Sequence, residues 1–282
     1  MKGKLIVIEG TDCSGKETQS KKLIENLEKN NKKVCYFCFP NYESPTGKIV
    51  GGPYLGKSYI CDGWFKEKAP NVDSKVSSLY FAADRKYNIN KIIDKLNDGY
   101  NVILDRYVYS NMAHQGGKWK TKEERDEMYN WLSKLEFDLL ELPKADIKVF
   151  LHMPYNAINK LKAGRIEKLD QNEEDKEHLL NAENAYKEIA KKYNFYTIEC
   201  TDNKRIKTIE EIRIKIPPGR MSGRDLECRK EFRDRLRKIC LILQRLQDGA
   251  EIGVNALHGR DGHVLFDRVN VIKIGTKGDG IE

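Results

Sequence analysis

Apolar runs alternate with amphipathic stretches of helical length along the first 216 residues of the chain. Five apolar runs bounded by turn residues occupy residues 4–9, 33–39, 101–105, 147–152 and 195–199. The spacing of apolar positions between these runs predicts helices at residues 15–29, 74–97, 121–136, 155–163, 174–192 and 206–215. Strands and helices that alternate in this way form a parallel sheet with helices on both faces. The pattern therefore predicts an α/β fold around a five-stranded parallel sheet.

One connection, at residues 51–74, is longer than most loops in compact domains and is rich in glycine and aromatic residues. Its aromatic residues are Tyr54, Tyr59, Trp64 and Phe65. Two interpretations are open. The segment either covers a ligand as a lid or packs on the surface as an insertion.

The composition changes near residue 217. The chain has 32 Lys and 6 Arg before residue 220, but 4 Lys and 9 Arg from residue 220 onward. We therefore predict a main domain at 1–216 and a C-terminal extension at 217–282. Apolar residues at helical spacing predict a helix of about five turns in the extension, and residues 262–274 suggest a hairpin. Its basic helix could bind nucleic acid or a membrane surface, but a solvated face is the commoner arrangement.

Charge and cysteine content narrow the class of protein. The net charge is +8, yet 43 acidic residues nearly balance 51 basic ones, which suits anionic small molecules and does not by itself indicate nucleic acid. No apolar stretch has the length of a membrane span, and the first strand begins too early to leave room for a signal peptide. We expect a cytoplasmic protein with seven reduced cysteines.

A glycine-containing loop connects the first predicted strand to the first predicted helix. Its residues are Gly10, Thr11, Asp12, Cys13, Ser14, Gly15 and Lys16. Two glycines let the backbone wrap around phosphate oxygens, the helix N-terminus offers N–H donors, and a lysine adds positive charge. The strand, loop and helix context predicts a binding site for a nucleoside polyphosphate. Glu17 follows the lysine where a hydroxyl residue is usual, and Thr18 comes one place later.

Asp105 and Arg106 lie at the end of the third predicted strand. Ligands of open parallel sheets bind beyond the carboxyl ends of the strands, so these residues should share an edge with the glycine loop. Phosphoryl transfer needs the two reactants held in line and their charge neutralised, and Lys16 with Arg106 can supply that charge. A structural ion pair between Asp105 and Arg106 is the alternative.

Several ordered motifs within residues 3–216 resemble those of the thymidylate kinase family. They are Glu9-Gly10-x-Asp12-x-Ser14-Gly15-Lys16-x-Thr18-Gln19, Phe39-Pro40, Tyr80-Phe81-Ala82-Ala83-Asp84-Arg85, Asp105-Arg106-Tyr107-Val108-Tyr109-Ser110 with Ala113 and Gln115-Gly116, and Leu142-Pro143-Lys144-Ala145-Asp146. The resemblance implies a P-loop nucleoside monophosphate kinase fold. It also implies transfer of phosphate from ATP to dTMP with Mg²⁺, and a homodimer.

The resemblance implies a role for each matching residue. Lys16, Asp105 and Arg106 would be catalytic, together with Arg165 of a lid at about 161–173. ATP would bind Gly10, Thr11, Asp12, Cys13, Ser14, Gly15, Lys16, Glu17 and Thr18. Glu9 and Asp105 would organise Mg²⁺ through phosphates and water. The acceptor would contact Asp12 at its sugar hydroxyl, Phe81 by stacking, Arg85 at the base edge and Arg106 at its phosphate, with Phe39, Ser110 and Gln115 in the same pocket.

Three positions depart from the family pattern. They are Glu17, Tyr42, where an arginine often occurs, and His114, where an aromatic residue is usual. Two alternatives therefore stay open beside a dTMP kinase. One is a related kinase with another pyrimidine nucleotide or a deoxynucleoside as acceptor, and the other is a catalytically impaired nucleotide-binding protein.

Overall fold

The computed structural model describes residues 2–162, 170–202, 205–214, 252–258 and 264–271. The chain divides into two compact units, Met1–Arg220 and Met221–Glu282.

A five-stranded parallel sheet forms the centre of the first unit. Its strands are β1 (Leu5–Gly10), β2 (Val34–Cys38), β3 (Asn101–Asp105), β4 (Ile147–His152) and β5 (Tyr196–Glu199). The strand order is β2-β3-β1-β4-β5, and every neighbouring pair is parallel. Strand β1 is central and buried along its whole length, as expected for an apolar run covered on both faces. The predicted α/β fold and its five strands are confirmed.

Seven α-helices surround this sheet within the described residues. They are α1 (Lys16–Lys29), α2 (Pro45–Ile49), α3 (Ser74–Asn97), α4 (Val108–Gly116), α5 (Lys122–Ser133), α6 (Tyr155–Lys162) and α7 (Lys176–Lys192). Alternate residues of β1 enter two separate cores. Leu5 and Val7 pack in one core with residues of α3, α4, α5 and α7, whereas Ile6 and Ile8 pack in the other with Leu23 of α1. Within the described residues no helix has the length and apolar character to span a membrane.

The helix predicted at 206–215 is wrong. Residues Arg205–Ile206 form a short strand, β7, which pairs antiparallel with β6 (Thr201–Asp202). Thr208 and Glu211 then exchange hydrogen bonds as at a helix start, but only turns follow. Ile212 and Ile214 are both buried in the core, and this spacing of two belongs to an extended chain. Burial of these two side chains therefore overrides the local helix signal.

Helices α2 and α4 were not predicted, and α5 ends three residues early. Nearly every residue of α4 is buried, so the helix shows no polar face that its sequence could reveal. Beyond Ser133 the chain continues as a π-helical turn, Lys134–Leu139. This turn carries a buried carboxylate, Glu136, that reaches the functional site.

The connection at 51–74 packs largely against the body of the unit. A π-helical turn, Val50–Tyr54, begins it, and a 3₁₀ turn, Ala69–Asn71, lies near its end. The side chain of Tyr54 is 1% exposed and meets the ring of Phe81 edge-on, with centroids 5.6 Å apart. The segment is therefore a packed insertion, although three of its residues, Leu55, Lys57 and Tyr59, also line a cavity of the unit.

The second unit contains an antiparallel hairpin of β8 (Ile252–His258) and β9 (Val264–Val271). The register shifts between Asn255 and Ala256. The first strand precedes the range at 262–274 in which the sequence suggested a hairpin. The helix predicted in the extension lies outside the described residues.

Candidate active site

A cavity of about 850 Å³ lies at the carboxyl ends of β2 and β3, beside the glycine loop. Predicted site residues that line it are Asp12, Cys13, Gly15, Lys16, Glu17, Thr18, Phe39, Phe81, Arg85, Asp105, Arg106 and Ser110. Predicted residues buried outside this lining are Glu9, Gly10, Thr11, Ser14 and Gln115. Arg165 and most of the predicted lid lie outside the described residues.

Two glycines permit the backbone conformation of the glycine loop, one by a positive φ and the other by a close backbone contact. Gly15 has a φ of +83°, which residues with a side chain rarely adopt, and it precedes α1 directly. A Cβ at Gly10 would come within 2.7 Å of the carbonyl oxygen of Leu151. No side chain caps the start of α1, which leaves its first N–H groups as donors for an anion.

Lys16 is almost completely buried at the start of α1. Its Nζ donates a hydrogen bond to the carbonyl oxygen of Thr11 at 2.8 Å. Burial lowers the pKa of this ammonium, and the nearby Arg106 lowers it further. A polyphosphate in the cavity would oppose both effects, because it brings negative charge next to the ammonium. The loop is therefore suited to bind an anion.

Glu17 lies on the exposed side of α1. Its carboxylate accepts a hydrogen bond from Lys21 Nζ at 2.6 Å, and both side chains are 69% exposed. The carboxylate is thus partly neutralised along the helix surface. Thr18 is exposed at the cavity wall as well.

Arg106 connects the end of β3 to the glycine loop. Its guanidinium forms a close ion pair with Asp12 and donates to the carbonyl oxygen of Gly10 at 3.1 Å. It also donates to the hydroxyl of Tyr186 at 3.3 Å. Its backbone has a φ of +65°, a strained conformation for arginine, and its N–H bonds to Ile8 O at 3.0 Å. These contacts place the guanidinium at the cavity wall.

Glu9 is fully buried behind this wall and holds several groups together. One carboxylate oxygen accepts from the backbone N–H groups of Tyr107 and Ser110 at 2.8 and 3.1 Å. The other accepts from the Ser110 hydroxyl at 2.5 Å and the Tyr186 hydroxyl at 3.2 Å. Burial raises the pKa of Glu9, while the Ser110 hydrogen bond opposes that rise. The residue therefore fixes the start of α4 relative to β1.

Asp105 presents a carboxylate at the cavity wall. Its Oδ2 accepts from the hydroxyl of Tyr36 at 3.3 Å. Mg²⁺ usually binds one or two carboxylates and completes its coordination with phosphates and water. Among the described residues no group of three or more His, Cys, Asp and Glu forms a metal cage. Asp105 therefore fits a magnesium ion that is held mainly by phosphates.

Arg85 also lines the cavity, and it forms a buried ion pair. Its guanidinium makes two hydrogen bonds to Glu136, one of them at 2.7 Å, and Asn111 donates to the same carboxylate at 3.0 Å. Arg85 is 2% exposed and Glu136 is fully buried. The planar guanidinium is thereby held in one orientation beside Phe81.

A pair of histidines lies at the cavity wall: His114 lines the cavity, and His178 is buried behind it. The ring of His114 stacks on that of His178 with centroids 5.3 Å apart, and His114 Nδ1 lies 3.1 Å from His178 Nε2. Burial lowers the pKa of His114 far below its usual value, and it lowers that of His178 to about 4. Both rings are therefore neutral at pH 7, so one nitrogen donates to the other.

Tyr186, Glu136 and His178 are among the contacts that the sequence did not predict. Tyr186 and His178 lie on α7, where the apolar spacing marks them only as core positions. Glu136 lies in the π-helical turn after α5. No motif in the neighbouring sequence marks these residues as part of the site, because each reaches the site only through the packing of segments that are distant in sequence.

The chain is similar to thymidylate kinases by sequence and by structure. The thymidylate kinase family profile matches residues 8–211. The thymidylate kinase of Caldicellulosiruptor saccharolyticus is 31% identical over 219 residues, covering 77% of this chain and 95% of that protein. That of Plasmodium falciparum is 34% identical over 155 residues, or 55% of this chain, and the match spans 64% of the Plasmodium protein.

A solved structure of thymidylate kinase from Candida albicans resembles the chain in fold. The superposition has a TM-score of 0.56 at 22% identity, and it covers 96% of this chain and 99% of that one.

Proposed function

The chain belongs to the thymidylate kinase family, and on this premise we propose that it transfers the terminal phosphate of ATP to dTMP, giving dTDP. The observation that carries the proposal is the convergence of Lys16, Asp105 and Arg106 on one cavity with Phe81. Charge neutralisation and alignment are the main contributions that a protein makes to phosphoryl transfer.

We assign the donor side of the cavity to the glycine loop. The uncapped N–H groups at the start of α1 would bind ATP phosphates, and Lys16 would neutralise their charge. Asp105 would hold Mg²⁺ together with those phosphates. The ion would neutralise negative charge on the phosphate oxygens. Glu9, whose two oxygens already accept hydrogen bonds from the chain, would support the site by fixing the start of α4.

We assign the acceptor side to Phe81, Arg85 and Asp12. Phe81 offers a ring face for the pyrimidine, and Arg85 offers a fixed fork of donors for carbonyl oxygens of the base. Asp12 is the acceptor for a sugar hydroxyl. Because Asp12 also pairs with Arg106, sugar binding and the position of the transferred phosphate would be coupled.

A coupled assay of ADP release tests the proposal. With ATP and Mg²⁺, the chain should prefer dTMP over dUMP, UMP and thymidine. A better rate with another acceptor would favour the related-kinase alternative. Absence of ADP release with every acceptor would favour an impaired nucleotide-binding protein. Lys16→Ala, which removes the loop cation, is the control for contaminating kinase activity.

We further propose that the chain forms a homodimer through the exposed side of α3. Val76, Leu79 and Tyr87 are apolar, 40–59% exposed and on one stripe of that helix together with Ala83. Leu79→Lys should halve the mass measured by light scattering if this stripe is the interface. Leu139→Lys is the matched control, since Leu139 is 67% exposed on another segment.

A cytoplasmic location stays a prediction from the sequence.

A further inference from the structure

Lys57 brings an ammonium to the cavity wall from the insertion at 51–74. Its side chain is 9% exposed, and its Nζ lies 3.4 Å from Oδ2 of Asp170. The same Nζ lies over the rings of Tyr42 and Tyr59, 5.3 and 5.9 Å from their centroids. Its backbone N–H donates to Gly51 O at 2.8 Å, which anchors the residue in the insertion. All but Gly51 also line the cavity.

The cations of the cavity wall differ in how tightly the chain holds them. Arg85 and Arg106 each form close hydrogen-bonded pairs with Glu136 and Asp12. The Lys57 pair is longer than a charge-assisted hydrogen bond of about 2.7–2.9 Å. A lysine ammonium also has three donors that can turn toward a new acceptor. Among the carboxylate pairs of Lys57, Arg85 and Arg106, that of Lys57 is therefore the longest.

Backbone hydrogen bonds orient the carboxylate of Asp170, and burial disfavours its ionised form. Its Oδ1 accepts from the backbone N–H groups of Asn172 and Glu173, both at 3.0 Å, so Oδ2 is the atom that faces Lys57. Burial, followed by the nearby Glu173, raises the pKa of Asp170 to about 6. A phosphate monoester carries a charge of about −1.5 to −2 at pH 7. Such a group would compete well with Asp170 for the ammonium.

We propose that Lys57 binds the phosphate of the acceptor nucleotide, and that Asp170 holds its ammonium in place while the cavity is empty. Lys57 would then supplement Arg106 from a segment outside the family motifs. The inference rests on the proposed function, because it requires a nucleoside monophosphate in this cavity.

Affinities for dTMP and thymidine, measured by calorimetry, distinguish contacts to the phosphate from contacts to the nucleoside. Lys57→Met should weaken dTMP binding by about 10- to 100-fold, the scale for a lost hydrogen bond to a charged group. Thymidine affinity should stay within about twofold, because thymidine has no phosphate for the ammonium to bind. Lys57→Arg should restore most of the dTMP affinity. Lys68→Met is the matched control from the same insertion, since Lys68 is 69% exposed and lies 3.7 Å from Glu174.

Two results would overturn the inference. One is dTMP affinity that is unchanged in Lys57→Met, and the other is an equal loss of thymidine affinity, which would make Lys57 a structural part of the wall. Asp170→Asn gives a second test, including the case in which Lys57→Met fails to fold. It should keep or tighten dTMP binding, whereas a loss of dTMP affinity would identify the pair as a structural contact.

The wild-type chain distinguishes this inference from the proposed function. If it phosphorylates dTMP while Lys57→Met binds dTMP normally, only the inference fails. If the wild-type chain does not bind dTMP, the proposed function and the inference fail together.

Discussion

Arg106 and Asp12 form a close ion pair that joins the end of β3 to the glycine loop. Each side chain is 18% exposed, so both are accessible from the cavity but poorly screened by water. Tyr186 and Gly10 O accept further hydrogen bonds from the same guanidinium. The cation that would stabilise the transferred phosphate is therefore positioned before any ligand binds, and less reorganisation is required during the reaction.

The first prediction concerns this guanidinium. Arg106→Ala should lower kcat by about a thousandfold, because an arginine placed on a transferring phosphate contributes on that scale. The urea midpoint should change little, since the side chain lies at the cavity wall. Arg125→Ala is the control, because Arg125 also pairs with a carboxylate, Glu188, but lies outside the cavity lining. A near-normal rate for Arg106→Ala would make the residue structural.

Local sequence signals located the parts of the site that lie at strand ends. Gly10 and Asp105 end strands β1 and β3, Arg106 follows β3 directly, and parallel topology brings such positions to one edge. Glu136 and Tyr186 could not be found in this way. They come from segments that are distant in sequence, and a single buried polar residue on a helix resembles any core position.

The second prediction tests the buried pair of Arg85 and Glu136. Glu136→Gln should destabilise the fold by about 3–5 kcal/mol, because it leaves a buried guanidinium without its counterion. Glu188→Gln is the matched control, since Glu188 also accepts from two nitrogens of an arginine, Arg125, but the two side chains of this pair are 20% and 31% exposed. That change should cost less than about 1 kcal/mol. Urea unfolding of both variants measures the two losses in free energy of unfolding. Equal losses would show that burial of the ion pair does not set the cost of removing the carboxylate.

The third prediction concerns acid stability. Burial, followed by Lys118, lowers the pKa of His178 to about 4 from an ordinary value of 6.5. Between these values the unfolded chain binds a proton that the folded chain does not, so stability falls as the pH falls. From pH 7.5 to pH 5 the loss is about 2 kcal/mol. His114, whose pKa is lowered too, contributes with the same sign.

His178→Gln isolates this contribution. Urea unfolding at pH 7.5 and pH 5.0 should show that the variant loses about 2 kcal/mol less than the wild-type chain, because the variant lacks the group that protonates on unfolding. Groups other than His114 titrate alike in both proteins and cancel in the difference, whereas His114, which contacts His178, is part of the measured contribution. Equal losses of stability in the two proteins would show that His178 keeps its ordinary pKa.

The fourth prediction concerns the C-terminal extension. The sheet, its helices and the candidate site all lie within the unit Met1–Arg220. A chain that ends at residue 220 should therefore fold and keep its rate of ADP release. Insolubility of the shortened chain beside an active full chain would instead assign a packing role to the extension. If the extension binds nucleic acid, affinity should fall steeply with salt, because bound counterions are released.

The last prediction concerns Glu17, the residue that departs from the usual phosphate loop. Because Lys21 pairs with its carboxylate on the exposed side of α1, Glu17 should repel bound phosphates only weakly. Glu17→Thr should therefore leave kcat within about tenfold of the wild-type value, a difference of about 1.4 kcal/mol in transition-state free energy. Lys21→Met removes the partner while keeping Glu17, and it should weaken ATP binding if the pairing matters. A gain well above tenfold for Glu17→Thr, with a lower Mg²⁺ requirement, would instead identify Glu17 as the cause of an impaired kinase.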